Sequence, residues 1–210
     1  MGIVDQPTSP TAPTRRSVLF ATTAAIGAAG VIAAAWPLID QLNPDAAIRA
    51  SGDVIDFNLA DLQPAQRRVL RWHDLPVFVV RRTAAMLATL RDERLVERMV
   101  DPRSEKRQQA PYAANLHRSI DPAYAVLIGV CTYCGCVPQF QAEAILSDDV
   151  AGGYICACCA AHFDPAGRAY SSPAQYNLPV PPYDIVKRSR LVIGKNSADP
   201  FFTLDSIERL

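Results

Sequence analysis

The longest hydrophobic pattern lies near the start of the chain. No charged side chain occurs between Val18 and Ile39. A helix rises about 1.5 Å per residue, so a helix of this length crosses a bilayer core of roughly 30 Å. The pattern predicts one transmembrane helix over residues 18–39.

Beyond this stretch the apolar segments become short. Their content of Val, Ile, Phe and Trp favours β-strands, which we expect at 53–58, 67–72, 77–82, 124–130 and within 183–193. A short strand after Gly152-Gly153 leads to Cys156. Apolar residues at helical spacing predict one helix over 84–99, followed by a polar loop over 101–111. The pattern predicts a mostly β, small α+β domain behind the membrane helix.

These segments divide the chain into an anchor, a linker, a head and a tail. The predicted regions are a polar N-terminus at 1–17, the anchor at 18–39, a hinge at 40–52, the head at 53–193 and a C-terminal extension at 194–210. The extension carries Phe201, Phe202, Leu204 and Ile207, which are costly to expose as one patch. We expect it to dock either on another subunit or on the head itself.

An arginine pair precedes the apolar stretch, in the sequence Thr14-Arg15-Arg16-Ser17. Two adjacent Arg before a long apolar run are typical of a twin-arginine export signal. The positive-inside rule places the N-terminus in the cytoplasm and the head in the periplasm of a bacterial inner membrane. The alternative is a cleaved signal with Ala33-Ala34-Ala35 as the cleavage site. Either way the head reaches a compartment that permits disulfides.

Composition excludes two classes of protein. Half of the residues are hydrophobic and a fifth are charged, which excludes a disordered chain. Lys and Arg equal Asp and Glu at 21 each, so the basic excess of a nucleic-acid binder is absent. The six cysteines all lie between Cys131 and Cys159, which indicates a metal site, a disulfide, or both.

The cysteines form two loops, each with a C-x-x-C pair. Two such pairs resemble a four-thiolate site, which suits zinc, a single iron or an iron–sulfur cluster. The predicted ligands are Cys131, Cys134, Cys156 and Cys159. The remaining Cys136 and Cys158 are able to form a disulfide between the loops. The alternative is three disulfides and no metal.

Several further segments carry a resemblance to a known family. They are Ala34-Ala35-Trp36-Pro37-Leu38, Pro76-Val77-Phe78-Val79-Val80-Arg81-Arg82-Thr83, Ile128-Gly129-Val130-Cys131-Thr132 and Asn177-Leu178-Pro179-Val180-Pro181-Pro182-Tyr183. With the anchor and the Asn43-Pro44 start of the hinge, they resemble the Rieske iron–sulfur subunit of the cytochrome bc complex, a quinol:cytochrome c oxidoreductase. The resemblance implies an antiparallel β head with a two-loop cluster-binding subdomain at about 128–183. It also implies a [2Fe–2S] cluster, membrane lipid, and cytochrome b and cytochrome c-type partners in a dimeric complex.

The family's loops read C-T-H-L-G-C and C-P-C-H-G-S-H-Y-D, and this chain departs from both. By resemblance Cys131 and Cys156 match the family's iron-binding cysteines, and Cys136 and Cys158 match its disulfide. The family's two histidine ligands are replaced by Tyr133 and Cys159. A shielding leucine is replaced by Cys134, and the Gly-Pro-Ala-Pro segment reads Ser172-Pro173-Ala174-Gln175.

Two hydrogen-bond donors of the family are also lost, because their positions hold Ala161 and Phe163. We therefore expect an altered cluster or a zinc site that does not carry ordinary quinol oxidation, with quinone contact in doubt. Tyr133 and His162 are less favoured ligands. The alternatives are a redox-silent paralogue that holds zinc or only disulfides, and a periplasmic thiol–disulfide or metal-handling protein.

Overall fold

The computed structural model describes residues 14–40, 54–144, 150–170 and 173–210, apart from the side chains of 38–40 and 144. Residues 1–13, the predicted hinge from residue 41 onward and Ser172 lie outside the described residues. The chain divides into two compact units, Met1–Ile48 and Arg49–Leu210.

In the N-terminal unit the described residues form the helix α1 (Arg15–Asp40). Its stretch Arg15–Pro37 has a mean hydropathy of 2.0 and is unburied, and it is long and apolar enough to cross a membrane. The helix begins at the arginine pair, where the Thr14 hydroxyl oxygen accepts a hydrogen bond from the Ser17 N–H at 3.4 Å. The helix covers the whole predicted span 18–39. It begins about one turn earlier, at Arg15, because the polar residues before the apolar stretch are also helical.

The head contains nine strands among the described residues. They are β1 (Ile55–Asn58), β2 (Arg67–Trp72), β3 (Leu75–Arg81), β4 (Tyr124–Ile128), β5 (Gln139–Ala144), β6 (Ala151–Ile155), β7 (His162–Phe163), β8 (Tyr183–Val186) and β9 (Arg190–Ile193). They form three antiparallel sheets of three strands, in the orders β1-β9-β8, β2-β3-β4 and β5-β6-β7. The predicted mostly β head is confirmed, and the second predicted strand has the observed bounds.

The predicted helix over 84–99 is wrong in extent. The structure has two short helices, α2 (Ala84–Thr89) and α3 (Glu93–Val96). The break lies at Asp92, whose extended backbone and side-chain oxygen cap α3 by accepting from the Arg94 N–H at 3.0 Å. A capping aspartate begins a new helix more readily than it continues an old one.

Four strand boundaries also differ from the prediction. The strands expected over 53–58 and 77–82 are Ile55–Asn58 and Leu75–Arg81. The strand expected over 124–130 ends at Ile128: the Gly129 N–H still donates to the carbonyl of Pro76, the next residue in register, but Pro76 has no N–H to return the bond. Gly152 and Gly153 lie inside β6 rather than before it. A Cβ at Gly152 would stand 2.7 Å from Met86 of α2, so the missing side chain lets the helix pack directly on this strand.

The core lies where the three sheets meet, and it includes both Cys131 and Cys156. A buried ion pair follows β7: Arg168 Nε donates to Asp164 at 2.7 Å, and both side chains are almost completely buried. The Asp164 carboxylate also accepts the N–H groups of Ala166 and Arg168, while Arg168 reaches the Leu90 carbonyl at 3.1 Å. Both charged side chains therefore have hydrogen-bond partners, which buried charges need if burial is not to destabilise the fold.

Candidate metal centre

The sheet β5-β6-β7 places the two cysteine loops side by side. The first loop, residues 131–136, precedes β5, and the second, residues 156–161, lies between β6 and β7. Gln139 at the start of β5 pairs with Ile155 at the end of β6, and Ile155 also pairs with His162. The strand register therefore brings both loops to one end of this sheet.

Both loops close with the same backbone turn. In the first, the Gly135 N–H donates to the Cys131 carbonyl and the Cys131 N–H donates to the Cys136 carbonyl, each at 2.8 Å. In the second, the corresponding bonds at the same length join Ala160 to Cys156 and Cys156 to Ala161. The fold thus presents two copies of one C-x-x-C turn.

The turns direct four free thiols into one group. The sulfurs of Cys131, Cys134, Cys156 and Cys159 all lie within 4.8 Å of one another. Cys134 Sγ lies 3.4 Å from Cys156 Sγ and 3.3 Å from Cys159 Sγ, and Cys131 Sγ lies 3.7 Å from Cys159 Sγ. Cys131 and Cys156 are buried, whereas Cys134 is exposed at the rim. This arrangement suits a soft metal ion with thiolate ligands.

Backbone N–H groups shift the acidity of these thiols. The N–H of Cys136 points at the Cys134 sulfur and, with the neighbouring thiols, lowers the pKa of Cys134 to about 7. Burial raises the pKa of Cys131, and it raises the pKa of Cys159 although the Ala161 N–H opposes that shift. Ala161 therefore supplies a donor from its backbone, which an inspection of side chains does not detect.

The other two cysteines are joined to each other. Cys136 and Cys158 form a disulfide that connects the two loops, and they are the pair that the resemblance assigns to it. The remaining four cysteines are free thiols. One disulfide beside four converging thiols favours the metal alternative over three disulfides.

No histidine joins the group within the described part of the chain. His162 lies on β7, His73 lies in the turn between β2 and β3, and His117 precedes β4. The Tyr133 side chain is 57% exposed, and its backbone N–H, rather than its phenol, faces the Cys131 sulfur. The residues present do not fit a two-iron cluster with two cysteine and two histidine ligands.

Two distant segments hold the first loop in place. The Thr132 hydroxyl donates to the Tyr176 carbonyl at 2.7 Å, and Arg209 Nε donates to the Thr132 carbonyl at 3.3 Å. The Lys106 ammonium lies 4.3 Å from the centre of the Tyr176 ring. Nothing in the local sequence indicates these contacts, because their partners are far apart along the chain.

The C-terminal extension packs on its own head. The Arg209 N–H donates to Gln108 Oε1 at 2.8 Å, and Gln108 Nε2 donates back to the Arg209 carbonyl at 2.7 Å. The Glu208 N–H bonds the Arg107 carbonyl, and Ile207 is buried against the core. Phe201 remains 90% exposed. Of the two expectations for this segment, the structure has packing on the head.

The N-terminal part of the chain matches a known family model. A family model described as "Ubiquitinol-cytochrome C reductase Fe-S subunit TAT signal" matches residues 6–45, which confirms the export-signal prediction. A solved structure named "Hyperthermophilic respiratory Complex III" overlaps at a TM-score of 0.45 with 19% identity, over 80% of this chain and 96% of that one. That weak overlap adds nothing to the assignment.

Curated relatives extend over the head. The ubiquinol-cytochrome c reductase iron-sulfur subunit of Allochromatium vinosum is 37% identical over 186 residues, which cover 87% of this chain and 89% of that protein. The subunit of the same name from Blastochloris viridis is 36% identical over 186 residues, covering 88% and 95%. The chain therefore belongs to the family of ubiquinol-cytochrome c reductase iron–sulfur subunits, and the predicted resemblance to Rieske proteins is confirmed.

Proposed function

We propose that this protein is a membrane-anchored subunit of a cytochrome bc-type complex whose head carries a four-thiolate metal centre. The anchor is α1, with its N-terminus in the cytoplasm and the head in the periplasm of a bacterial inner membrane. The partners are cytochrome b and cytochrome c-type subunits and membrane lipid, within a dimeric complex. The names of the relatives and the apolar helix α1 support this placement.

One observation carries the proposal about the centre: four sulfurs lie within 4.8 Å of one another, with no imidazole among them. Neutral histidine ligands hold Rieske potentials at about −150 to +300 mV, whereas all-thiolate plant-type clusters lie near about −400 mV. The difference of at least about 250 mV is a factor of at least about 10⁴ in equilibrium constant for one electron. A two-iron cluster with four thiolate ligands is therefore a poor oxidant for quinol.

The proton chemistry supports the same conclusion. By resemblance, the exposed histidine ligand of the family accepts a hydrogen bond and then a proton from quinol. At that position Cys159 has no ring nitrogen, and a metal-bound thiolate is at most a weak acceptor. The other family ligand position holds Tyr133, whose phenol hydroxyl has no basic nitrogen to take up a proton. Ordinary quinol oxidation consequently lacks its proton acceptor here.

A second candidate function is a redox-silent subunit that holds zinc. The observation in its favour is that all four positions around the centre are taken by protein thiols. Structural zinc sites are closed in this way and contribute directly to folding. In this case the subunit would serve the structure or regulation of the complex.

The test uses the full chain, tagged and purified with mild detergent from its own membranes. We expect cytochrome b-type and cytochrome c-type subunits to co-purify, as identified by mass spectrometry. We also expect that a reduced quinol analogue leaves the absorption and electron paramagnetic resonance spectra of the head unchanged. A purified relative with histidine ligands, treated identically, serves as the positive control for quinol reduction.

Two results would oppose the proposal. Purification without either cytochrome would remove the assignment to a bc-type complex. Reduction of the centre by quinol with a midpoint above about 0 mV, inside the Rieske range, would show that the head retains the ordinary activity.

A further inference from the structure

We propose that Cys131, Cys134, Cys156 and Cys159 together bind one tetrahedral metal ion, iron or zinc, in place of a two-iron cluster. The inference rests on the proposed function only in sharing its four ligands. It specifies how many metal atoms the site holds.

The spacing of the sulfurs is the first argument. An ion with metal–sulfur bonds of about 2.3 Å and tetrahedral angles separates its ligand sulfurs by about 3.8 Å. The observed contacts of 3.3, 3.4 and 3.7 Å, with all pairs inside 4.8 Å, are close to this tetrahedron. In a two-iron cluster, the thiolates on one iron point away from those on the other. The sulfurs that bind such a cluster are therefore farther apart than the four sulfurs observed here.

The pairing of the sulfurs is the second argument. In the family, the first cysteine of each loop serves one iron, and the later position in each loop serves the other. A comparable division here would place Cys131 with Cys156 and a separate pair farther away. Besides the contact of Cys134 with Cys159, two contacts cross that division, because Cys131 meets Cys159 and Cys134 meets Cys156. The four thiols form one group rather than two pairs.

The backbone turns are the third argument. Each C-x-x-C turn directs both of its thiols to the same side, and the two turns are joined by the Cys136–Cys158 disulfide. Four thiolates around a divalent ion leave a net charge of −2. The N–H groups of Cys136 and Ala161 point at the sulfurs of Cys134 and Cys159, where they stabilise that charge.

The experiment measures composition in the purified full chain, prepared without oxygen. We expect about one iron or zinc per chain by mass spectrometry and no acid-labile sulfide. X-ray absorption at the edge of that metal should show four sulfurs at about 2.3 Å and no second metal. The identity of the metal separates the iron and zinc forms, and both satisfy the proposal.

Two results overturn the inference. Two irons with two labile sulfides per chain would establish a cluster and leave the four-thiolate function standing. A chain without metal, with its thiols oxidised, would contradict both the single-ion site and the four-thiolate centre of the proposed function. Loss of co-purifying cytochromes, by contrast, would affect only the proposed function.

Variants test the ligands individually. Cys134→Ser, at the exposed rim, should lower bound metal at least tenfold after dialysis against a chelator. The matched control is Tyr133→Phe, which should retain the metal, and His162→Ala should do the same. If the Cys134→Ser variant does not fold, the ligands are tested instead by replacing the bound metal with Co²⁺ in the unmutated chain. Intense visible d–d bands and sulfur-to-cobalt charge transfer then support four thiolates at one tetrahedral ion, and weak bands oppose them.

Discussion

Gly135 and Ala160 occupy equivalent positions in the two cysteine loops. Each lies four residues after the first cysteine of its loop and donates its N–H to that cysteine's carbonyl at 2.8 Å. Each has a positive φ, 75° for Gly135 and 55° for Ala160. The left-handed conformation suits glycine and costs an L-residue about 1–2 kcal/mol. The second loop therefore contains strain that the first avoids.

This difference predicts opposite effects from exchanging the two residues. Ala160→Gly should stabilise the head by about 0.5–1 kcal/mol, because relief of strain exceeds the added freedom of the unfolded chain. Gly135→Ala should destabilise it by about 1 kcal/mol, since its Cβ meets no atom within 4 Å and only the backbone is strained. Thermal unfolding of the full chain should show shifts of about 2–4 °C per kcal/mol. Shifts of the same sign would contradict the equivalence.

The buried Asp164–Arg168 pair predicts a large effect from a single substitution. Both side chains are almost completely buried, and Arg168 also donates to the Leu90 and Pro102 carbonyls. Arg168→Met leaves the Asp164 carboxylate buried without its partner, which should cost about 3–5 kcal/mol. Thermal unfolding of the full chain measures this loss.

The chain offers a matched control in the Asp56–Arg190 pair, which joins β1 to β9 on the exposed surface. Arg190→Met removes the same type of charge where solvent screens it, so its effect on the unfolding temperature should be far smaller. Equal losses from the two variants would show that burial does not determine the importance of the Asp164–Arg168 pair.

The sequence predicts the parts of the molecule that depend on local pattern. The apolar run gives α1, and the bounds 67–72 match β2 because strand residues are bracketed there by turn residues. The spacing of the cysteines identifies the four thiols that the fold brings together. The prediction of one helix over 84–99 is wrong because apolar periodicity does not reveal that Asp92 caps a second helix. The contact of Arg209 with Thr132 spans 77 residues, so no local pattern reveals it.

The extension predicts a link between the C-terminus and the first cysteine loop. A chain ending at Ser206 loses buried Ile207, worth about 1.5–3 kcal/mol, and the paired hydrogen bonds between Gln108 and Arg209, worth about 1 kcal/mol each. We expect a lower unfolding temperature and faster loss of metal to a chelator, while binding to the cytochromes persists. Loss of that binding at unchanged head stability would instead support docking on another subunit.

A subtler change separates stability from the loop contact. Arg209→Ala removes the hydrogen bond to the Thr132 carbonyl and keeps both backbone bonds to Gln108. It should accelerate metal release with a small effect on the unfolding temperature. Leu210→Ala, a change at a neighbouring residue for which no contact to the cysteine loops is observed, is the control and should leave the release rate unchanged.

Restoring the family's ligands tests why the centre differs. The triple variant Tyr133→His, Cys134→Leu and Cys159→His returns both histidines and the shielding leucine to their family positions. Neutral imidazole ligands raise the potential, so this variant should bind two irons and two labile sulfides, with a midpoint between about −150 and +300 mV. Electron paramagnetic resonance and a redox titration of the full chain measure the outcome.

The single change Cys134→Leu is the control, because it removes one thiol without supplying an imidazole and should give a chain with little metal. Cluster formation in the triple variant would show that the loop backbone still accommodates two irons and that the side chains alone select the centre. A triple variant without labile sulfide would show that the ligands alone do not exclude the two-iron cluster. The cause would then lie in the turns closed by Gly135 and Ala160, or in the side-chain hydroxyl donors missing at Ala161 and Phe163. Adding Ala161→Ser and Phe163→Tyr to that variant then separates these causes, since only the second is repaired by hydroxyl groups.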